Sequence, residues 1–200
     1  MATVSHVMLK ELATQKLRPA ELWDVIEERH LVDIESHWAS SLASLSAASQ
    51  SHEESSHWNW RRKLTGIRGQ FGRQEFAIEG DGHTQGIMLL DLNKASRIPA
   101  TKGESIVYID YLQAAPWNRR SLSMPQFRGV GSILIAASIN LSMDLGFDGR
   151  IGLHSLPQSE GFYDRCKMTK FWRDPDYEQL MYFEMTTSQS AAFLNKGGAA

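Results

Sequence analysis

Cysteine is nearly absent from this chain of 200 residues, with Cys166 alone. One thiol forms no internal disulfide, and a four-cysteine zinc site is excluded. Long apolar runs are missing too. None approaches the roughly 18–20 residues that cross a bilayer, and Lys10, Glu11 and Lys16 break up any secretory apolar core in Met1–Leu17. The chain therefore reads as cytoplasmic. No charge sign dominates: 21 Lys and Arg stand against 23 Asp and Glu, a formal net charge of −2. That balance gives no electrostatic reason to expect nucleic-acid or membrane binding. The seven histidines show no metal-ligand spacing, so no metal is expected. What remains is an ordinary globular composition, 42% hydrophobic and 22% charged, of a length that suits a single domain.

Along the chain, residues 1–68 read as a helical N-terminal part and 69–195 as the core. Pro19-Ala20-Glu21 resembles a helix start, with Pro near the first position and an acidic first turn. Leu22, Val25, Ile26, Leu31, Ile34 and Trp38 follow at helical spacing. Residues 40–56, rich in Ser and Ala, suggest a loop. After Gly66 the period changes. Arg73–Glu79 and Gly86–Leu92 read as strands of an antiparallel hairpin joined at Gly80-Asp81-Gly82. Ser105–Ala114 is a strand stopped by Pro116. Gly131–Leu145 is the clearest helix, with Ile133, Leu134, Ala137, Leu141 and Leu145 on its inner face and Gly146 as C-cap. A strand at Arg150–Leu156, a helix at Ser159–Cys166, a strand at Leu180–Met185 and a terminal helix complete a mixed α/β sheet flanked by helices.

Chemistry concentrates between the strand ending at Ala114 and the helix from Gly131. There Gln126-Phe127-Arg128-Gly129-Val130-Gly131-Ser132 forms a glycine-bearing helix entry. A helix N-terminus offers unpaired N–H groups and the positive end of a dipole, and glycines let phosphates approach closely. The ligand implied is a phosphoanion. A P-loop is excluded because no Lys follows Gly131, and a dinucleotide fingerprint because Leu134 stands where its third glycine belongs.

The remaining pattern, Gln/Arg-x-x-Gly-x-Gly/Ala between strand and helix, resembles the GNAT superfamily of N-acetyltransferases from about Arg73 to Phe193. The resemblance implies the GNAT fold, with two parallel strands that splay apart, here Tyr108–Ala115 and Arg150–Ser155. It also implies acetyl-CoA as co-substrate. The pantetheine arm would pair with Leu112, Gln113 and Ala114, one of whose N–H groups polarises the thioester. The pyrophosphate would lie on amides between Gln126 and Ser132 (Phe127, Arg128, Gly129, Val130 and Gly131 among them), with Arg128 adding a cation. Tyr163 falls at the position of the family's phenolic acid. Asp110, four residues before Ala114 on the same strand face, is the leading candidate for a base, ahead of Glu79, His154 and Tyr111. The implied reaction is direct transfer of an acetyl group to a primary amine on a small molecule or peptide, and a homodimer would be in keeping with the family.

Departures from the family pattern are plain. His154-Ser155-Leu156-Pro157 lacks the usual Asn, and Cys166-Lys167-Met168 stands where Gly and Phe are common. These keep a second reading open, a CoA-binding regulatory protein with little or no turnover. Trp23 and Trp38 read as core, Trp117 as an acceptor contact, and Trp58 and Trp60 as cleft lining or sheet cover. Cys166 reads as a packing residue, with no Cys/His signature around it.

Overall fold

The computed structural model describes residues 2–45, 54–55, 57–122 and 124–197. Among them nine strands form one mixed sheet in the order β6-β1-β2-β3-β4-β5-β7-β9-β8. The strands are β1 (Val4–Glu11), β2 (Leu17–Trp23), β3 (Arg73–Gly80), β4 (His83–Ala95), β5 (Ser105–Ala114), β6 (Phe127–Arg128), β7 (Ile151–Ser155), β8 (Thr169–Asp174) and β9 (Leu180–Met185). The helices are α1 (Glu28–Asp33), a π-helical turn (Ile34–Trp38), α2 (Ala39–Ala43), α3 (Trp60–Ile67), α4 (Val130–Asp144), α5 (Glu160–Arg165) and α6 (Thr187–Asn195). Two compact units divide the chain, Met1–Leu89 with Leu112–Gly131, and Leu90–Tyr111 with Ser132–Ala200.

In the first unit the expected helix at Pro19 is instead the second strand of a hairpin, with Met8 opposite Pro19 and Val7 opposite Ala20. Pairing of β2 with β3 begins only at Ala20, so the N–H that Pro19 lacks costs that ladder no hydrogen bond. Tertiary pairing overrode a local helix-start signal. The helical stripe holds further on, where Leu31, Ile34 and Trp38 are buried. The loop expected over residues 40–56 lies largely outside the described residues, although Ser40 to Ala43 are helical. The β3–β4 hairpin turns as its residues require: Asp81 and Gly82 have φ of 55° and 76°, both central positions of a type I′ turn.

In the second unit β5 and β7 run parallel, pairing Val107 with Ile151, Tyr108 with Gly152 and Ile109 with Leu153. A parallel pair needs a crossover, and α4 supplies it. That helix is apolar nearly all round rather than on one face. Leu134, Ile135, Ala137 and Ile139 are buried, whereas Leu145 is exposed beyond its end. Two of its buried hydroxyls donate to backbone carbonyls, Ser138 to Ile135 O at 2.8 Å and Ser142 to Arg150 O at 2.8 Å. The helix ends in a Schellman motif, Phe147 N–H to Ser142 O at 2.7 Å and Gly146 N–H to Met143 O at 3.0 Å, with Gly146 at φ 75°. Strand β8, which the sequence does not announce, pairs antiparallel with β9 through a register shift between Lys170 and Arg173.

Gly152 is fixed by packing. A Cβ there would lie 2.9 Å from Ile106 Cδ1 and 2.9 Å from Tyr182 Oη. Gly152→Ala should lower stability by about 1–3 kcal/mol in denaturant titration. Gly66→Ala, in an exposed stretch of α3 where a Cβ meets nothing within 4 Å, should raise it by about 0.5–1 kcal/mol.

Candidate functional site

The glycine-bearing turn belongs to the first unit. Phe127 and Arg128 form the short β6, paired with Glu11 and Lys10 of β1. The Gln126 N–H donates to Trp117 O at 2.8 Å, and the Phe127 N–H to Asn118 Oδ1 at 3.0 Å. Those two amides are therefore committed within the protein, which corrects the expectation that Gln126 and Phe127 present them to an anion. The N–H groups of the first turn of α4 have no acceptor inside the helix. Gly129 has a φ of 103°, a conformation that L side chains rarely adopt. Val130 is buried and Arg128 exposed, so the turn is anchored by an apolar residue while its cation faces solvent.

The end of β5 is held by side chains that the sequence did not single out as a group. Gln113 is buried; its Oε1 accepts from Trp60 Nε1, and its Nε2 donates to Ser55 Oγ at 2.7 Å. Trp60, 3% exposed, is thus a support for β5 rather than a cleft wall. Gln85, buried in β4, accepts from Trp117 Nε1 at 3.0 Å and Asn118 Nδ2 at 2.8 Å, and its carbonyl accepts from Ala115 N–H at 2.9 Å. One buried amide therefore fixes the chain as it leaves β5. Leu112 and Ala114 are half-buried.

In the second unit the β5–β7 register ends at Ile109 and Leu153. Asp110 and Tyr111 follow, both half-buried. Asp110 acts with Tyr177 and Asp91 on Lys94, whose ammonium is held above its usual pKa first by its hydrogen bond to Tyr177, 3.1 Å away. His154 lies one residue past the end of the register. Its Nδ1 accepts from Tyr108 Oη at 2.6 Å, and its Nε2 faces Asp174 Oδ2 at 3.0 Å. Its ring stacks on Tyr177 at 3.9 Å. Arg97 closes the cluster with an ion pair to Asp174, while Glu184 accepts from Ser96 Oγ, the Arg97 N–H and Tyr182 Oη. With its side chain 2% exposed, His154 is a buried structural imidazole in this structure. Such a ring does not reach a substrate proton, which counts against it as a base.

Tyr163, in α5, is 6% exposed and packs against Phe162 and Phe183 with ring separations of 5.1 and 5.6 Å. Burial pushes its hydroxyl well above the usual phenol range, so it stays protonated at neutral pH. Cys166 is buried, and burial pushes its thiol up to about 12, in line with a packing role. Trp38 is core, its Nε1 donating to Thr84 O at 2.8 Å. Trp23 is half-buried under the Arg29 guanidinium, 4.2 Å from the ring centroid. No helix among the described residues is long and apolar enough to cross a membrane.

Burial lowers the pKa of His154, and Arg97 and Lys94 add to that effect; the Asp174 contact opposes it without reversing it. Unfolded, the ring takes a proton near pH ~6.5; folded, it does so only at lower pH. Below about pH 6.5 the unfolded chain binds more protons, so stability falls with pH. Tm should therefore decline between about pH 7 and 5.5. His154→Gln should flatten that slope in part, because buried His30, also lowered chiefly by burial, shares the direction.

No family model and no curated protein matches this sequence. Solved structures do match in fold. The GNAT domain of PAT from S. lividans is similar with a TM-score of 0.57 at 13% identity, over 91% of this chain and 96% of that one. RimJ from Mycobacterium smegmatis, in complex with CoA-disulfide, is similar with a TM-score of 0.51 at 15% identity, over 98% and 95%. PaiA N-acetyltransferase from Thermoplasma acidophilum, in complex with coenzyme A, is similar with a TM-score of 0.51 at 12% identity, over 84% and 98%. The mixed nine-stranded sheet flanked by helices is thus similar in fold to these GNAT-domain structures.

Proposed function

We propose that this protein is an acetyl-CoA-dependent N-acetyltransferase that acts on a primary amine of a small molecule or peptide, with residues 69–195 as its CoA-binding core. The observation that carries the reading is the entry of α4, where Gly129 at φ 103° leads into a helix N-terminus within a GNAT fold. Two proteins of similar fold are complexes with CoA or its disulfide, which supports CoA as the ligand.

In this reading the pyrophosphate lies on the N–H groups from Gly129 to Ser132, with Arg128 adding charge, and the pantetheine arm pairs with Leu112, Gln113 and Ala114. A backbone N–H near Ala114 polarises the thioester carbonyl, stabilising the oxyanion that forms on attack. The amine nitrogen bonds to the acetyl carbon and the carbon–sulfur bond breaks. The amine proton passes to Asp110 or to water, and the leaving CoA thiolate takes its proton from the Tyr163 hydroxyl, which is reprotonated from solvent. Tyr163 donates its hydroxyl hydrogen bond to the leaving sulfur, a role that suits a phenol kept protonated by burial. The same burial favours a second reading, CoA binding without turnover, because a deeply held phenol is a reluctant proton source.

Calorimetry with CoA and a thiol-release assay with acetyl-CoA test both readings, over polyamines, aminoglycosides, amino acids and peptides. The expected result is CoA binding and thiol release with at least one amine class. Arg128→Ala should weaken CoA binding most at low salt. Tyr163→Phe should lower kcat by about 100-fold or more and leave the Kd for CoA unchanged. Binding without thiol release from any amine would select the second reading, and no CoA binding by folded protein would overturn both.

A further inference from the structure

Three side chains that the sequence keeps far apart meet in the first unit. Asp33 precedes the π-helical turn, His37 lies within it, and His83, 50 residues from Asp33, opens β4. His37 Nδ1 is 2.7 Å and His83 Nδ1 3.0 Å from the same Asp33 Oδ1. The three candidate ligand atoms lie within 4.8 Å of one another. We propose that Asp33, His37 and His83 form a binding site for a first-row divalent transition-metal ion, with zinc the best fit.

Two imidazoles and one carboxylate are a borderline donor set, suited to zinc and its neighbours and poorly suited to magnesium or calcium. A zinc ion about 2.0–2.2 Å from each ligand spaces neighbouring ligand atoms about 3.4 Å apart. The observed spacing needs only small side-chain rotations to reach that. The anchor is held in place. Asp33 Oδ2 accepts the Thr84 N–H at 2.6 Å, the kind of outer contact that orients a metal-ligating carboxylate.

The other two ligands can move. His37 and His83 side chains are 59% and 41% exposed, against 13% for Asp33, so an ion can enter from solvent and keep a water in its fourth position. Their rings already meet edge to face at 4.6 Å. The π-helical turn adds an independent pointer, since such turns are rare and concentrate at functional sites. The site requires no acetyl transfer, so it stands or falls separately from the proposed activity.

The test uses the full chain, stripped with chelator and titrated with zinc chloride in calorimetry, with cobalt(II) as an absorbance probe. Expected are one zinc per chain, tetrahedral cobalt bands, a zinc-dependent rise in Tm, and no competition by excess magnesium. His37→Ala and His83→Ala remove exposed side chains, so they should fold as the wild type does by circular dichroism. Each should weaken zinc binding by about tenfold or more and abolish the Tm rise. Absence of stoichiometric binding, or binding that survives in both variants, would overturn the proposal and leave a hydrogen-bonded Asp–His–His cluster.

Discussion

Three residue pairs, Val107 with Ile151, Tyr108 with Gly152 and Ile109 with Leu153, set the terms for the second unit. Parallel strands cannot be joined by a tight turn, so this short ladder demands a long crossover. That crossover is α4, whose apolar residues are buried on several faces, and its entry is the glycine-bearing turn. The ladder is also crowded. Gly152 lacks a side chain because Ile106 and Tyr182 occupy the space a Cβ would take. The candidate anion-binding helix start is thus a consequence of strand pairing, and the glycine at its mouth a consequence of the backbone angle that the entry requires.

Around β7 and β9 the protein buries charge rather than avoiding it. Asp174, His154 and Glu184 are all withdrawn from water, and each has partners: Arg97 and His154 for Asp174, Tyr108 for His154, and Ser96, Tyr182 and the Arg97 amide for Glu184. A satisfied network of this kind fixes one arrangement of its strands, because breaking any member strands a charge in low dielectric. Gln85 and Gln113 play the neutral counterpart at the end of β5. Both arrangements position backbone, and neither offers a reactive group to solvent.

Where local pattern and tertiary role agree, the elements were legible from residue order. Ser105–Ala114 and Leu180–Met185 are strands with the expected bounds, and Asp81-Gly82 makes the turn its residues favour. The reading failed at Pro19-Ala20-Glu21, a sound local helix start that pairing with β1 and β3 converts to strand. It also missed β1, within the stretch read as helical, and β6 and β8; none of the three alternates apolar and polar residues clearly enough to announce a strand. Those segments become strands because a neighbouring edge accepts them. In the turn, Gly129 was legible because glycine tolerance is local. The loss of the Gln126 and Phe127 amides was not, because Trp117 and Asn118 capture them through a folded loop.

The sequence by itself determined the α/β class, the glycine entry to α4 and the burial of Cys166, since each rests on composition or spacing within one segment. Tertiary structure alone decided which polar groups meet. Tyr108 reaches His154 across 46 residues, and Asp33 reaches His83 across 50. Hydrogen bonding and ligation act over about 3 Å, and that proximity is set by strand register and helix placement rather than by order along the chain.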